Sequence, residues 1–512
     1  MKKVLVLLNL IFALLNASEL KFATQKNVGE LNPHLYSPNE MFAQNMVYEG
    51  FVAYSEDNKI IPALATSWDI SKDGLVYTFY LRKGVKFSNG EDFNANAVKA
   101  NFDAIFANKQ RHISFALVRA FDRLEVVDDY TVKIHLKHIY EPTLRELSLI
   151  RPFRFIAPSA MIDGNTKDGI KAAIGTGKWI FVDTKLGVYD KFKKNENYWG
   201  EKAKVDDILC KVIPDPSTRV IALKTGEIDY VYGMGAIGLE DFVNFKDTEF
   251  KTIISEPLST VLIALNTGAN VTKDIKLRKA LNMAIDKDAI SKYVFYGTQK
   301  RADFFYPENV PNGKIDRKAY EYNPKKAQKM LIDNGYKLGK DKMLYKDNKP
   351  LEIRLSFIGT NAEHKAIAEV MQSQLRQIGI NLILNADEST IFYKRQRTGE
   401  FDMTFNETWG APYEPEIFMA SMIAPSHADY MAQKGLKQKA LIDSNIEKIA
   451  QTMDNEEKIK LAKEILTILH DEAVYIPIVY TTNKGVASPK IKGYKSSILK
   501  YAIPFDDIEF EK

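Results

Sequence analysis

The 512-residue sequence has a single cysteine, Cys210, so neither an intramolecular disulfide framework nor a zinc site built from paired cysteines is available. Cys210 alternates with Ile208 and Val212 in a strand-like run and reads as a small buried core residue. Blocks of one charge sign are also missing. Lys and Arg total 71 against 66 Asp and Glu, a formal net charge of +5, and the two signs are interspersed. A nucleic-acid binder would cluster that excess, so no nucleic-acid partner is expected. Beyond the N-terminus no apolar run approaches the ~20 residues that span a bilayer, and membrane insertion of the mature protein is not expected. Enzyme signatures are thin: there is no serine in a nucleophile elbow, no phosphate loop ending in Lys-Ser/Thr and no His-Glu pair at zinc-protease spacing. His470-Asp471-Glu472 has half of a zinc-deaminase pattern without its downstream cysteines. The seven histidines are scattered over the chain, so an all-imidazole site would need distant segments. His135 and His138, three apart on a strand, point to opposite faces.

What is present begins with an export signal. Lys2 and Lys3 precede an apolar run from Val4 to Leu15, and Ala17-Ser18 supplies small residues before Glu19. Residues 1–18 read as a secretory signal peptide, and the expected location is the periplasm. Residues 19–93 are mostly strand and turn, with Leu75, Tyr77, Phe79 and Leu81 alternating. A helix is predicted from about Asn94 to Phe106, and a strand with one wet face through Val132, Ile134 and Leu136. After about residue 262 the pattern becomes α/β. Asn323-Pro324 opens a helix that ends at Gly335; another carries Ile367, Met371 and Leu375 and stops at Gly379 before a strand. A charged helix over about 456–469 runs into the apolar strand Val474 to Tyr480. The chain is expected to build lobe I over 19–261, with an inserted subdomain at about 45–175, then lobe II over 262–477, and to return to lobe I over 478–512.

Aromatic, Met and Arg side chains sit in segments punctuated by proline and glycine. Asn32 to Met41 contains two prolines, which places Tyr36 and Met41 on a rigid loop rather than a helix face. Arg111-His112 and Arg151-Pro152-Phe153-Arg154 bring guanidinium forks suited to carboxylates. Trp409-Gly410-Ala411-Pro412-Tyr413 sets two more aromatics on a turn. Each alone reads as local packing; together they point to a ligand cleft.

Four motifs carry a resemblance to a known family: Leu81-Arg82-Lys83-Gly84-Val85-Lys86-Phe87-Ser88-Asn89-Gly90, Gly175-Thr176-Gly177-Lys178-Trp179, Asn195-Glu196-Asn197-Tyr198-Trp199-Gly200 and Leu277-Arg278-Lys279-Ala280-Leu281-Asn282. The chain resembles, over nearly its whole mature length, the extracellular solute-binding proteins that serve peptide and nickel ABC importers. That resemblance implies an α/β fold: a two-lobed periplasmic binding protein of type II, in the large peptide and nickel cluster, with a two-strand hinge. The Tyr36 to Met41 loop, Arg151 to Pro158, Trp409 to Tyr413 and Pro425-Ser426-His427-Ala428-Asp429 resemble the nickel-binding members. Peptide-binding members place an aspartate shortly after the tryptophan matching Trp409 to capture the peptide amine, and here that position is Pro412.

The resemblance implies that Tyr36, Met41, Arg111, Arg151, Trp409, Tyr413 and His427 line the cleft. Where nickel-binding members carry a further tryptophan, this chain has Ser114, which widens one side. Ni(II) favours nitrogen and oxygen ligands, and a cleft with one imidazole implies a metal that arrives already chelated. His427 is then the metal ligand, Arg111 and Arg151 hold the carboxylates of a small chelator such as free histidine, and the aromatics and Met41 form walls. No catalysis and no catalytic cofactor are expected; the Ni(II) chelate is the transported ligand, an ABC permease the partner, and a monomer the expected state. The alternatives are a peptide receptor, a haem or metallophore carrier on the same walls, and, from another class, a secreted hydrolase.

Overall fold

The computed structural model describes residues 18–36 and 39–511; the expected signal peptide, except Ser18, lies outside them, as do Ser37 and Pro38. The chain forms two units, residues 1–256 with 483–512, and residues 257–482. The divisions fall at 256/257 and 482/483 because strands Thr260–Leu265 and Tyr475–Tyr480 pair with each other, Thr260 opposite Tyr480, and so belong wholly to the second unit.

The first unit is built on a seven-stranded mixed sheet, in the order Trp179–Lys185, Tyr189–Lys194, Asp207–Val212, Glu19–Thr24, Tyr230–Gly233, Lys484–Ala487 and Lys251–Ile254. Glu19–Thr24 runs parallel to Asp207–Val212, with Phe22 opposite Cys210. Cys210 is fully buried, as its alternation predicts. A separate four-stranded antiparallel sheet contains Val76–Leu81 and Thr131–Leu136. Tyr77, Phe79, Val132 and Ile134 on one of its faces are buried. Helix Ala95–Ala107 packs on the edge strand Phe121–Asp128, Phe102 against Phe121, and its first turn is closed by the Asn94 side chain accepting from the N–H groups of Asn96 and Ala97. Such a cap is worth about 1 kcal/mol.

The second unit has a five-stranded mixed sheet in the order Asn381–Asp387, Glu352–Ile358, Met403–Glu407, Thr260–Leu265 and Tyr475–Tyr480. Helices Pro324–Asp333, Ala362–Gln377 and Asn455–Asp471 start at the side-chain caps Asn323, Asn361 and Asp454. Its core joins Leu262, Phe305, Phe418, Ile465 and Tyr475, with Trp409 packed on its edge. No helix among the described residues is long and apolar enough to cross a membrane.

The four motifs that carry the resemblance are joints. A Cβ on Gly175 or Gly177 would collide with the backbone of Met46 and Val47, so only glycine permits that approach. Tyr198 Oη and Trp199 Nε1 donate to half-buried Glu49 at 2.8 and 2.9 Å, and the Arg82 guanidinium lies 3.9 Å over the Trp199 ring. Buried Arg278 donates to the carbonyls of Thr272, Lys273 and Glu472 and to the Glu472 carboxylate. Each spends its polar groups on the fold.

Candidate ligand-binding site

In the first unit Tyr36 Oη lies 2.8 Å from Nδ1 of His112, its ring is stacked toward Phe115 at 6.3 Å, and the Arg151 guanidinium sits 5.0 Å over its face. Arg151 Nη1 also reaches the carbonyl of Asn39 at 3.5 Å. His112 is buried; desolvation first, then the charge of Arg111, pushes it down to about 4, so the imidazole is neutral. Arg111 is exposed on the short helix Lys109–His112 and joins this group only through that effect on its neighbour. Arg151 and Met41 line a cavity of about 470 Å³ with Thr24, Asn39, Tyr232 and Asn483.

Met41 is not on a loop. It opens helix Met41–Val47, because Phe42, Met46 and Val47 give that segment an apolar face and the second proline, Pro38, falls before the helix begins. Arg154 also departs from the expectation of a carboxylate grip. It is buried and donates to the carbonyls of Leu149, Tyr48 and Ser148, so its fork holds backbone. His135 pairs with Glu125 at 2.7 Å, whereas His138 is exposed past the end of its strand. His470 bonds to the carbonyl of Lys318 at 3.0 Å, a structural contact.

In the second unit, strand Met403–Glu407 delivers Trp409 into a tight turn. Gly410 has φ +78°, a conformation that glycine adopts without strain. The turn is tied by Gly410 N–H donating to buried Glu414 at 2.7 Å and Tyr413 N–H donating to the Gly410 carbonyl at 2.9 Å. Trp409 meets Tyr413 edge-on at 6.0 Å, Phe418 at 5.1 Å and the half-buried His427 ring at 6.0 Å. His427 stands at the N-cap of helix Ala428–Gln433, and its side chain makes no cap bond.

Trp409 and His427 line one cavity of about 600 Å³, together with His364, Glu407 and Asp429. Asp429 is buried, accepts from Asn406 at 2.9 Å, Tyr475 at 3.0 Å and Ser421 at 3.2 Å, and has its carboxyl raised above the ordinary range by desolvation. Asp429 lies inside a motif quoted from the sequence, and its role as the cavity's polar floor was not read there. His112 and His364 were missed as well, since nothing local distinguishes them from the other histidines. Among the described residues no three His, Cys, Asp or Glu side chains converge on a metal position.

The family model for bacterial extracellular solute-binding proteins, family 5 (middle), matches residues 59–430. The chain is 46% identical to the nickel-binding periplasmic protein of Escherichia coli K12 over 96% of this chain and 94% of that one. Among solved structures it is similar to NikA of Brucella suis in complex with Fe(III)-EDTA, with TM-score 0.94 and 49% identity over 96% of this chain and 100% of that one. It is also similar to NikZ of Campylobacter jejuni in complex with Ni(L-His), with TM-score 0.76 and 26% identity over 96% and 99%. The α/β, two-lobed architecture expected from the sequence is the fold these structures share with it. The chain belongs to the bacterial extracellular solute-binding proteins of family 5.

Proposed function

We propose that this protein captures Ni(II) already bound by a small carboxylate-bearing chelator, such as free histidine, and delivers it in the periplasm to the permease of an ABC importer. The observation that carries this reading is the half-buried His427 imidazole set against Trp409 in a cavity where no protein metal cluster forms. A bare divalent ion would find no three protein ligands converging there, although His364, Glu407 and Asp429 also line the cavity, so the chelator supplies the rest. His427 provides one nitrogen to the metal. Arg151, held over Tyr36, and Arg111 take the chelator's carboxylates in charge-assisted hydrogen bonds. Met41, Tyr36, Trp409 and Tyr413 are the walls. The likeness to a nickel-binding periplasmic protein at 46% identity supports the cargo, and Pro412 in place of an amine-binding aspartate favours it over peptide.

The protein acts as a monomer and catalyses no reaction; binding shifts a two-lobed molecule from open to closed about its two-strand hinge, and the closed form is what the permease takes up. Calorimetry with nickel, with and without free histidine, tests this. Saturable binding that requires histidine is expected; tight binding of nickel alone, or of metal-free dipeptides, would overturn it.

A further inference from the structure

The second-unit cavity contains an imidazole that the reading above does not use. His364 sits in the first turn of helix Ala362–Gln377, its backbone N–H donating to Oδ1 of Asn361 at 3.0 Å. Its ring lies flat on Phe405, with centroids 4.2 Å apart and 13° between planes, so packing fixes where both nitrogens are. They are not equivalent. Nδ1 is sealed from solvent without a hydrogen-bond partner, which leaves Nε2 as the nitrogen the ring presents to the cavity it lines with Trp409 and His427. Burial lowers His364 to about 4, so the ring carries one proton at neutral pH. A sealed N–H with no acceptor is rarer than a sealed acceptor with no donor, and that places the proton on Nε2, as a donor.

The other polar groups of the cavity define what such a donor meets. Asp429 accepts from three donors, and Glu407 accepts from Ser259 Oγ at 2.7 Å. Arg397 is exposed in the last turn of helix Ser389–Thr398. Both carboxylates thus accept hydrogen bonds from within the protein, Glu407 also lying close enough for its charge to act on His364, and the groups lining the cavity that can donate to a ligand include the neutral N–H of His364 and the Arg397 guanidinium. A ligand oxygen bearing negative charge fits that pair.

We propose that His364 is a specificity-determining residue: its Nε2–H donates to a carboxylate oxygen of the chelator, outside the coordination sphere of the metal that His427 binds, with Arg397 adding a favourable field. This rests on the chelate reading above and narrows it. The cavity selects amino-acid-like chelators with a carboxylate over chelators that share their metal-binding nitrogens and lack one.

Nickel–histidine and nickel–histamine test the point, since both present imidazole and amine nitrogens and only histidine has a carboxylate. His364→Ala is expected to weaken nickel–histidine at least fivefold while nickel–histamine changes less than twofold, which also reports that the variant is folded. His364→Gln, whose side-chain amide nitrogen reaches the place of the ring Nε2, is expected to recover part of the loss. Equal weakening of both chelates would make His364 a metal ligand or a packing residue, and unchanged affinity for nickel–histidine would leave it no role; either overturns the proposal. If the wild-type protein binds nickel–histidine but not nickel–histamine, equal affinities of the Gln and Ala variants for nickel–histidine overturn it. Failure of the wild-type protein to bind either chelate would instead sink the chelate reading, and this inference with it.

Discussion

Tyr36 Oη and His112 Nδ1, 2.8 Å apart, tie the aromatic wall of the first unit to a buried neutral imidazole whose other nitrogen, Nε2, has no partner. The hydroxyl is therefore the ring's only side-chain hydrogen bond. Tyr36→Phe orphans Nδ1 as well and is expected to cost about 1–3 kcal/mol of stability, the penalty for stranding a buried polar group. Chemical denaturation would measure it, and a change under 0.5 kcal/mol would show that the bond contributes little.

Direct ligation and chelate capture separate at His427. His427→Ala is expected to weaken nickel–histidine by more than about 1.4 kcal/mol, tenfold, and to affect a chelate with a full coordination sphere much less. Unchanged nickel–histidine affinity would make His427 a structural residue of its turn.

The arginines should respond to carboxylates rather than to the metal. Arg151→Ala is expected to weaken every carboxylate-bearing chelate by roughly 1.5–3 kcal/mol, the range for hydrogen bonds to charged groups. Arg111→Ala should cost less, and its effect should fade at high salt, because its exposed charge is screened. Binding isotherms at two ionic strengths distinguish the two.

Trp409 should report binding. Its ring is packed against Phe418 and beside His427, so a chelate at His427 alters its surroundings. Trp409→Phe should abolish most of the ligand-induced fluorescence change and Trp68→Phe should not; equal responses would place the ligand elsewhere.

Stability should also depend on His34. Its ring is buried between Thr166 Oγ1 at 2.9 Å and the Arg154 carbonyl at 3.0 Å, and desolvation lowers it to about 4 against 6.5 in the unfolded chain. Between those values the unfolded state binds the extra proton. Stability contributed by this group is therefore complete above pH 6.5 and is lost as pH falls toward 4, by about 3 kcal/mol in total. Glu49 and Glu146, raised by burial, act in the opposite sense, so the comparison must be between variants. His34→Asn should show a shallower loss of stability from pH 6.5 to 4 than the wild-type protein, and an identical slope would refute the assignment.

The sequence revealed most where a local rule decides the outcome. Asn94, Asn323 and Asp454 cap helices that periodicity and capping chemistry placed within a few residues, and Cys210 is buried where its alternation put it. Met41 was misplaced because two nearby prolines outweighed a single apolar turn. Arg151 and Arg154 carry identical forks three residues apart, and only the fold turns one toward a cavity and the other onto the carbonyls of 148 and 149. His364 was illegible for a related reason: the orientation of its ring is set by stacking on Phe405, a contact between residues about forty positions apart.

The strand Lys484–Ala487 lies between Tyr230–Gly233 and Lys251–Ile254 in the first sheet, so an interior position of that sheet is filled by a segment that follows the whole second unit in the chain. Residues 257–482 form a continuous unit and can close as soon as they emerge. The first unit cannot: until residues 483–512 arrive, two of its strands present unpaired edges, and long-range pairing is slow to form. The closing segment of the first sheet is thus separated from the strands it joins by the entire second unit, so the first unit is the one whose completion depends on the most distant parts of the chain meeting.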